Sequence, residues 1–120
     1  MAKKNLLLTN IIEGILEKKG KEIVDIDLTK INASFCDHFI ICHGDSNTQV
    51  VAIADSIEKK VHDNLKQKAG HREGLNNAMW VLLDYEDIVV HVFQREVRNY
   101  YRLEELWGDA RILKIEESYF

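Results

Sequence analysis

The strongest constraint on this chain lies between Asn77 and Trp107, in the run NAMWVLLDYEDIVVHVFQREVRNYYRLEELW. Two short apolar stretches, Ala78 to Asp84 and Ile88 to Phe93, flank the acidic break Tyr85-Glu86-Asp87. That arrangement predicts two antiparallel strands of one hairpin. A helix from Glu96 to Leu106 follows, dense in Arg, Tyr and Leu. No other segment interleaves so much large apolar and aromatic surface with charge, a mixture that suits a docking surface better than a reaction centre.

The remaining elements are read from spacing. Leu8, Ile11, Ile12, Ile15 and Leu16 recur at helical intervals, with Lys18 and Lys19 in the last turn and Gly20 as the stop. Glu22 to Leu28 sets Val24, Ile26 and Leu28 against Asp25 and Asp27, as in a strand with one wet face. Thr29 to Asp37 is a polar connection, and His38 to Cys42 is a continuous apolar run, predicting a strand covered on both faces. Ser46 with Gln49 makes a capping-box pattern, after which Val50, Ile53, Ala54, Ile57, Val61 and Leu65 form one stripe of a long helix ending at Ala69-Gly70. His71 to Asn77 reads as a polar loop, and Gly108-Asp109-Ala110 ends the compact part. Arg111 to Phe120 is either a short edge strand, with Leu113 and Ile115 on one side, or a loose tail. The order α-β-β-α-β-β-α predicts an α/β domain, a mixed sheet packed with helices. The second strand, long helix and third strand are expected to make a right-handed crossover.

Composition narrows the function classes. At 120 residues, 46% hydrophobic and 30% charged, the chain can bury a real core as one domain. No apolar run approaches the roughly eighteen residues a membrane span requires. The opening MAKKNLLLTNII is interrupted by Thr9 and Asn10, and no small-residue cleavage site follows, so export is not expected. Cys36 and Cys42 are too few for a disulfide framework and read as reduced thiols of a cytoplasmic protein. The net charge of −4, with Lys and Arg scattered along the chain, disfavours direct nucleic-acid binding and favours basic partners.

Several residue groups invite chemistry. Cys36, His38, Cys42 and His43 have zinc-ligand types, but strand parity sends His43 to the face opposite His38 and Cys42, so no metal is expected. Gly44-Asp45-Ser46 before a helix resembles a phosphate cradle. Nucleotidyltransferases use a similar start and need two carboxylates for magnesium. Asp25 and Asp27 offer that pair but precede the cradle in sequence, the reverse of the usual order. His91 lies across the hairpin from Asp84, and Ser34, Ser46 and Ser56 are nucleophiles by type only. For Trp80, core packing competes with exposure in a patch shared with His91 and Phe93.

The run Asp37 through HFIICHGDS, Ala52-Ile53-Ala54-Asp55 in the long helix, and WVLLDYEDIVVHVFQREVRNYYRLEELW together resemble the ribosomal silencing factor family, also called the RsfS or Iojap family. The resemblance runs from the first helix to Trp107; residues 108–120 read as a C-terminal extension of a single domain spanning 1–120. It implies a nucleotidyltransferase-like core without a working catalytic site, no cofactor, and homodimers. It also implies binding to the large ribosomal subunit through a ribosomal protein of the joining face, with steric exclusion of the small subunit. Carried over by position, the contact residues are Trp80 as apolar anchor, Asp84 and Glu104 as acidic partners, Arg98 and Tyr101 as polar or aromatic contacts, and His91 and Leu106. Two positions depart from the family pattern: Glu86, where the hairpin usually has Gly, and His38, where an aromatic Tyr or Phe is common. The expectation is a cytoplasmic, non-enzymatic translation regulator. The alternatives are a magnesium-dependent nucleotidyltransferase and, disfavoured by charge, a small RNA-binding module.

Overall fold

Apolar periodicity sets the elements of the computed structural model, which describes residues 5–31, 36–108 and 110–115. Ser34, Asp109 and the tail beyond Ile115 lie outside the described residues. Helix α1 (Leu6–Glu17) starts where the Asn5 side chain accepts from the Leu8 N–H, and it buries Ile11 and Ile15. Its left-handed terminating residue is Lys19 (φ 60), one position before the expected Gly20. Strand β1 (Lys21–Asp27) has no wet face along most of its length. Ile23 joins the core, and Asp25, only 3% exposed, is hydrogen-bonded to His38 Nδ1 at 2.7 Å. Strand β2 (His38–Gly44) is covered on both faces, as its unbroken apolar run predicts.

Helix α2 (Asn47–Leu65) is capped by Ser46 Oγ, which accepts from the Gln49 N–H at 3.1 Å. The Gln49 amide also donates to the carbonyls of Lys18 and Lys19, both at 3.2 Å, so one cap residue ties the end of α1 to the start of α2. The helix stops at Leu65 because Lys66 turns left-handed (φ 56), short of Ala69-Gly70. Within the expected polar loop, residues 71–73 form a short exposed strand, β3 (His71–Glu73). Its exposure on both faces leaves no apolar alternation to read.

Strands β4 (Trp80–Asp84) and β5 (Ile88–Gln94) form the hairpin, closed by the Tyr85 N–H on the Ile88 carbonyl at 2.9 Å. Glu86 sits at φ 73, the conformation in which a side chain costs about 1 kcal/mol relative to glycine. The last helix is shorter than its pattern. Helix α3 (Arg95–Tyr101) ends where Arg102 turns left-handed (φ 48), and a 3-10 turn spans Leu103–Trp107. Of the two options for the tail, the edge strand is the one formed: β6 (Arg111–Ile115) pairs antiparallel with β1.

Among the described residues six strands run in the order β3-β4-β5-β2-β1-β6, and β2 with β5 is the parallel pair. The expected crossover from β2 through α2 to the next long strand is therefore not a parallel unit. That strand, β4, runs antiparallel to β5, and β5 returns between β4 and β2. Helices α1 and α2 both pack on one face, over Ile23, Ile40, Cys42, Val81, Leu83, Val90 and Val92. Gly14 allows the closeness of that pair, since a Cβ there would lie 2.8 Å from Ile57 Cα. The opposite face carries Val24, Ile26, Phe39, Ile41, Val89 and Phe93. Among the described residues no long helix covers it: Leu103, Val97 and Trp107 from α3 and the 3-10 turn pack there, with Ile31 and Ala110 from the connections. Two helices cover one face fully; the other has a thin lid.

Candidate functional site

The thin lid leaves an apolar groove at the start of β4. Met79, Trp80, Val97, Tyr100 and Tyr101 line a hollow of about 490 Å³, with Glu96 at its rim. Strand alternation builds it: Val81 and Leu83 go to the helical core, while Trp80, Leu82 and Asp84 are half-buried on the other face. Gly74 closes the groove floor. Its φ is +88, and a Cβ would stand 1.9 Å from the Trp80 carbonyl oxygen, so no larger residue fits against this strand end. The Trp80 ring packs on Phe93 (centroids 4.8 Å apart) and Tyr101 (4.9 Å), and Tyr100 stands edge-on to Tyr101 at 5.1 Å. Tyr100 is 81% exposed and Tyr101 51%, so this aromatic cluster continues from core to solvent. Trp80 is thus both core and surface.

Trp80 is held by its polar end. Its indole N–H donates to His91 Nδ1 at 3.0 Å, which places the His91 proton on Nε2. That nitrogen is buried without a hydrogen-bond partner among the described residues, and burial pushes the His91 pKa down to about 4. The folded state keeps His91 neutral while the unfolded chain protonates near 6.5, so stability is present above that value and is lost as pH falls from about 6.5 to about 4. The group contributes up to about 3 kcal/mol of acid destabilisation. Urea unfolding at a series of pH values is expected to show this loss in the wild type and a flatter profile in His91→Gln. Equal profiles would remove His91 as the cause.

The remaining expected contact residues are not all in the groove. Asp84 stands at the far end of β4, about 13 Å along the strand from Trp80. Its Oδ1 accepts from the Glu86 N–H at 2.8 Å, so it braces the hairpin and does not pair with His91. Arg98 is 6% exposed and points inward. Its Nε and Nη2 donate to Glu104 at 3.2 and 2.8 Å, and Nη1 donates to His43 Nδ1 at 3.0 Å. Burial first, then the Arg98 charge, holds the His43 pKa below its usual value, consistent with a neutral acceptor. Leu106 is 72% exposed on the 3-10 turn. The fold therefore brings Trp80, His91 and Tyr101 together, makes Arg98 and Glu104 an internal strut, and leaves Asp84 and Leu106 apart. Met79 and Tyr100 are groove residues that spacing alone did not single out. The adjacent Tyr100-Tyr101 pair was the available signal, because a helix end can bury one of two neighbours but not both.

The groups with metal or nucleotide potential are engaged elsewhere. Cys42 is fully buried and burial raises its thiol to about 12; Cys36 is raised to about 11 for the same reason. His38 is held by Asp25, and Asp27 accepts from the Thr29 N–H and hydroxyl at 2.9 and 2.6 Å. Among the described residues no three His, Cys, Asp or Glu side chains are grouped to hold a metal ion. Ser46 is a helix cap, and Ser56 Oγ donates to the Gly14 carbonyl at 2.7 Å. Among the described residues no helix is long and apolar enough to cross a membrane.

Residues 2–119 match the family described as ribosomal silencing factor during starvation. The chain belongs to the ribosomal silencing factor family. It is 41% identical over 110 residues to the Halalkalibacterium halodurans protein named ribosomal silencing factor RsfS, covering 92% of each. The Bacillus subtilis protein of the same name is 42% identical over 100 residues, covering 83% of each. A crystal structure of a Chromobacterium violaceum protein superposes with a TM-score of 0.79 at 37% identity, covering 85% of this chain and 83% of that one. In this silencing-factor chain β4 and α3 build the aromatic groove.

Proposed function

We propose that this chain binds the large ribosomal subunit through a ribosomal protein on its joining face and sterically blocks association with the small subunit, repressing translation in the cytoplasm. The observation that supports it is the groove: a half-buried Trp, locked by a hydrogen bond, beside exposed Tyr100, Tyr101 and Met79. A rigid aromatic anchor at the edge of solvent is the typical centre of a protein interface. Glu96 at the rim and the overall charge of −4 complement a basic partner, as ribosomal proteins commonly are. His91 and Arg98 serve the contact from inside, the first by orienting Trp80 and the second by holding the 3-10 turn on the sheet.

The mechanism is exclusion and requires no bond-breaking. A body of 38 × 33 × 30 Å seated on the joining face occupies space that the small subunit must fill. The test is co-sedimentation of the purified protein with isolated large subunits, followed by a subunit-joining assay. Stoichiometric pelleting with inhibited joining is expected; a protein that stays in the supernatant sinks the reading.

The proposal includes a homodimer. The outer edge of β6 has no strand partner among the described residues, and Ile112 and Leu113 on it are 39% and 38% exposed. An apolar edge strand of this kind is stable when a second copy covers it. Light scattering is expected to give twice the chain mass for the wild type and the single mass for Leu113→Lys. A wild-type monomer at all concentrations would rule out the dimer.

A further inference from the structure

We propose that the basic end of α2, with the hollow between it and β3, contacts the phosphodiester backbone of ribosomal RNA while the aromatic groove docks on protein. The inference rests on the ribosome-binding reading above and adds a second, chemically different contact. From Lys59 to Arg72 the chain carries five of its 16 Lys and Arg residues and one of its 20 Asp and Glu residues, with His62 and His71 among them. That is a net +4 for the segment, or +2 with the flanking Glu58 and Glu73, within a chain whose total is −4. Read along the chain, these cations look scattered. The end of α2 and the turn back into β3 gather Lys59, His62, Lys68 and Arg72 around a hollow of about 530 Å³, in which Glu58 is the acidic lining residue.

Among the described residues local acids pair three of the five cations and leave two free: Arg72 holds Glu58 at 3.1 Å, Lys59 holds Asp63 at 2.9 Å, and Lys60 pairs with Glu17. Lys66 and Lys68 are exposed and have no ion pair among the described residues. The negative end of the α2 dipole offers only about half a charge, enough to favour one of them. The Tyr85 hydroxyl, buried beside the same hollow, lacks a hydrogen-bond partner among the described residues. The two unpaired ammonium groups, Lys66 and Lys68, repel each other, and a polyanion relieves that repulsion. Phosphate suits it better than carboxylate. The hollow's single Arg is already committed to Glu58, and free lysines act as point charges that follow a backbone without fixed geometry.

Both sites border the β3 edge: Arg72 lines the basic hollow and Gly74 lines the aromatic groove. They open on opposite faces of the sheet, and the end of α2 lies by Asp84, at the end of β4 away from Trp80. A partner that fills the groove and also reaches Lys66 and Lys68 must therefore pass around that edge.

The test is large-subunit co-sedimentation from about 50 to about 200 mM salt, comparing wild type, Lys66→Gln/Lys68→Gln, and Lys18→Gln/Lys19→Gln as a charge-matched control. The α2-end variant is expected to lower the slope of log K against log salt by about 2, about 1 for each phosphate that a lysine no longer neutralises. The control is expected to leave the slope unchanged. Equal slopes for wild type and the α2-end variant, with binding intact, would overturn this contact alone. An equal reduction of slope in both double variants would also overturn it, by showing a general charge effect. A wild type that does not pellet removes the ribosome reading and this inference with it. Saturable binding of ATP that Lys66→Gln/Lys68→Gln abolishes, with an unchanged salt slope, would assign the hollow to a free phosphate ligand instead.

Discussion

Trp80→Glu is expected to lower affinity for the large ribosomal subunit by about 30- to 1000-fold, the range for losing a central aromatic anchor of 2 to 4 kcal/mol. Two effects add. The substitution removes the ring that joins Phe93 to Tyr101, and it places a carboxylate in a groove whose neighbours are aromatic. Trp80→Phe separates packing from hydrogen bonding. It keeps most of the apolar area but loses the N–H that donates to His91 Nδ1, and so is expected to lose much less, under tenfold, or about 1 kcal/mol. Pelleting curves at fixed salt, with circular dichroism to confirm folding, decide the matter. A folded Trp80→Glu protein that binds like the wild type would place the contact surface elsewhere.

The second large effect is on stability. Arg98→Ala is expected to destabilise the fold by about 3 kcal/mol, because removing one partner of a buried ion pair strands the other. The guanidinium links three parts of the chain: Glu104 in the 3-10 turn, His43 at the end of β2, and the Lys21 carbonyl at the start of β1. Arg98→Lys keeps the charge but not the fork that reaches all three, and is expected to recover less than half of the loss. Urea unfolding with an unchanged m-value measures the difference. A double-mutant cycle with Glu104→Ala tests the pair itself: fully additive losses would show that the strut carries no coupling. If Arg98 instead contributes mainly at an interface, its substitution will weaken pelleting at full stability.

The two experiments probe different sides of one arrangement. The groove exists because the 3-10 turn and α3 cover only part of the second sheet face, and Arg98 fixes where that cover sits. Arg98→Ala should therefore also weaken ribosome binding, but in proportion to its structural effect. Trp80→Glu also loses packing on Phe93 and the bond to His91, so it should lower the urea midpoint, but it should weaken binding by more than that loss of stability explains.

Much of this was legible in the chain. The stripe in α2, its Ser46 cap and the β4–β5 hairpin follow from period and turn chemistry, which act over a few residues. The segment holding the groove was legible too, since Trp80 and Tyr101 fall within the run that combines aromatic area with charge. Arg98 shows where local reading stops. An arginine in a helical pattern reads as solvent-facing, and nothing within a turn of it announces burial. Its partner His43 is 55 residues away. The break at Arg102 is equally silent, because arginine is a good helix former. The left-handed turn there costs about 1 kcal/mol, offset when Leu103 and Trp107 pack onto the sheet, Trp107 edge-on to Phe39 at 5.6 Å.

By itself, then, the sequence determined the kinds of element, most of their limits, the family, and the segment that holds the candidate surface. These depend on side-chain alternation and capping, which the neighbouring residues settle. Only the tertiary structure decided which face of the sheet is thinly covered, that β2 and β5 are the parallel pair, that Arg98 is a strut, and that the cations around α2 and β3 form one patch. Strand parity says that two faces exist but not what packs on each, and contacts between distant segments leave no periodic trace in either one.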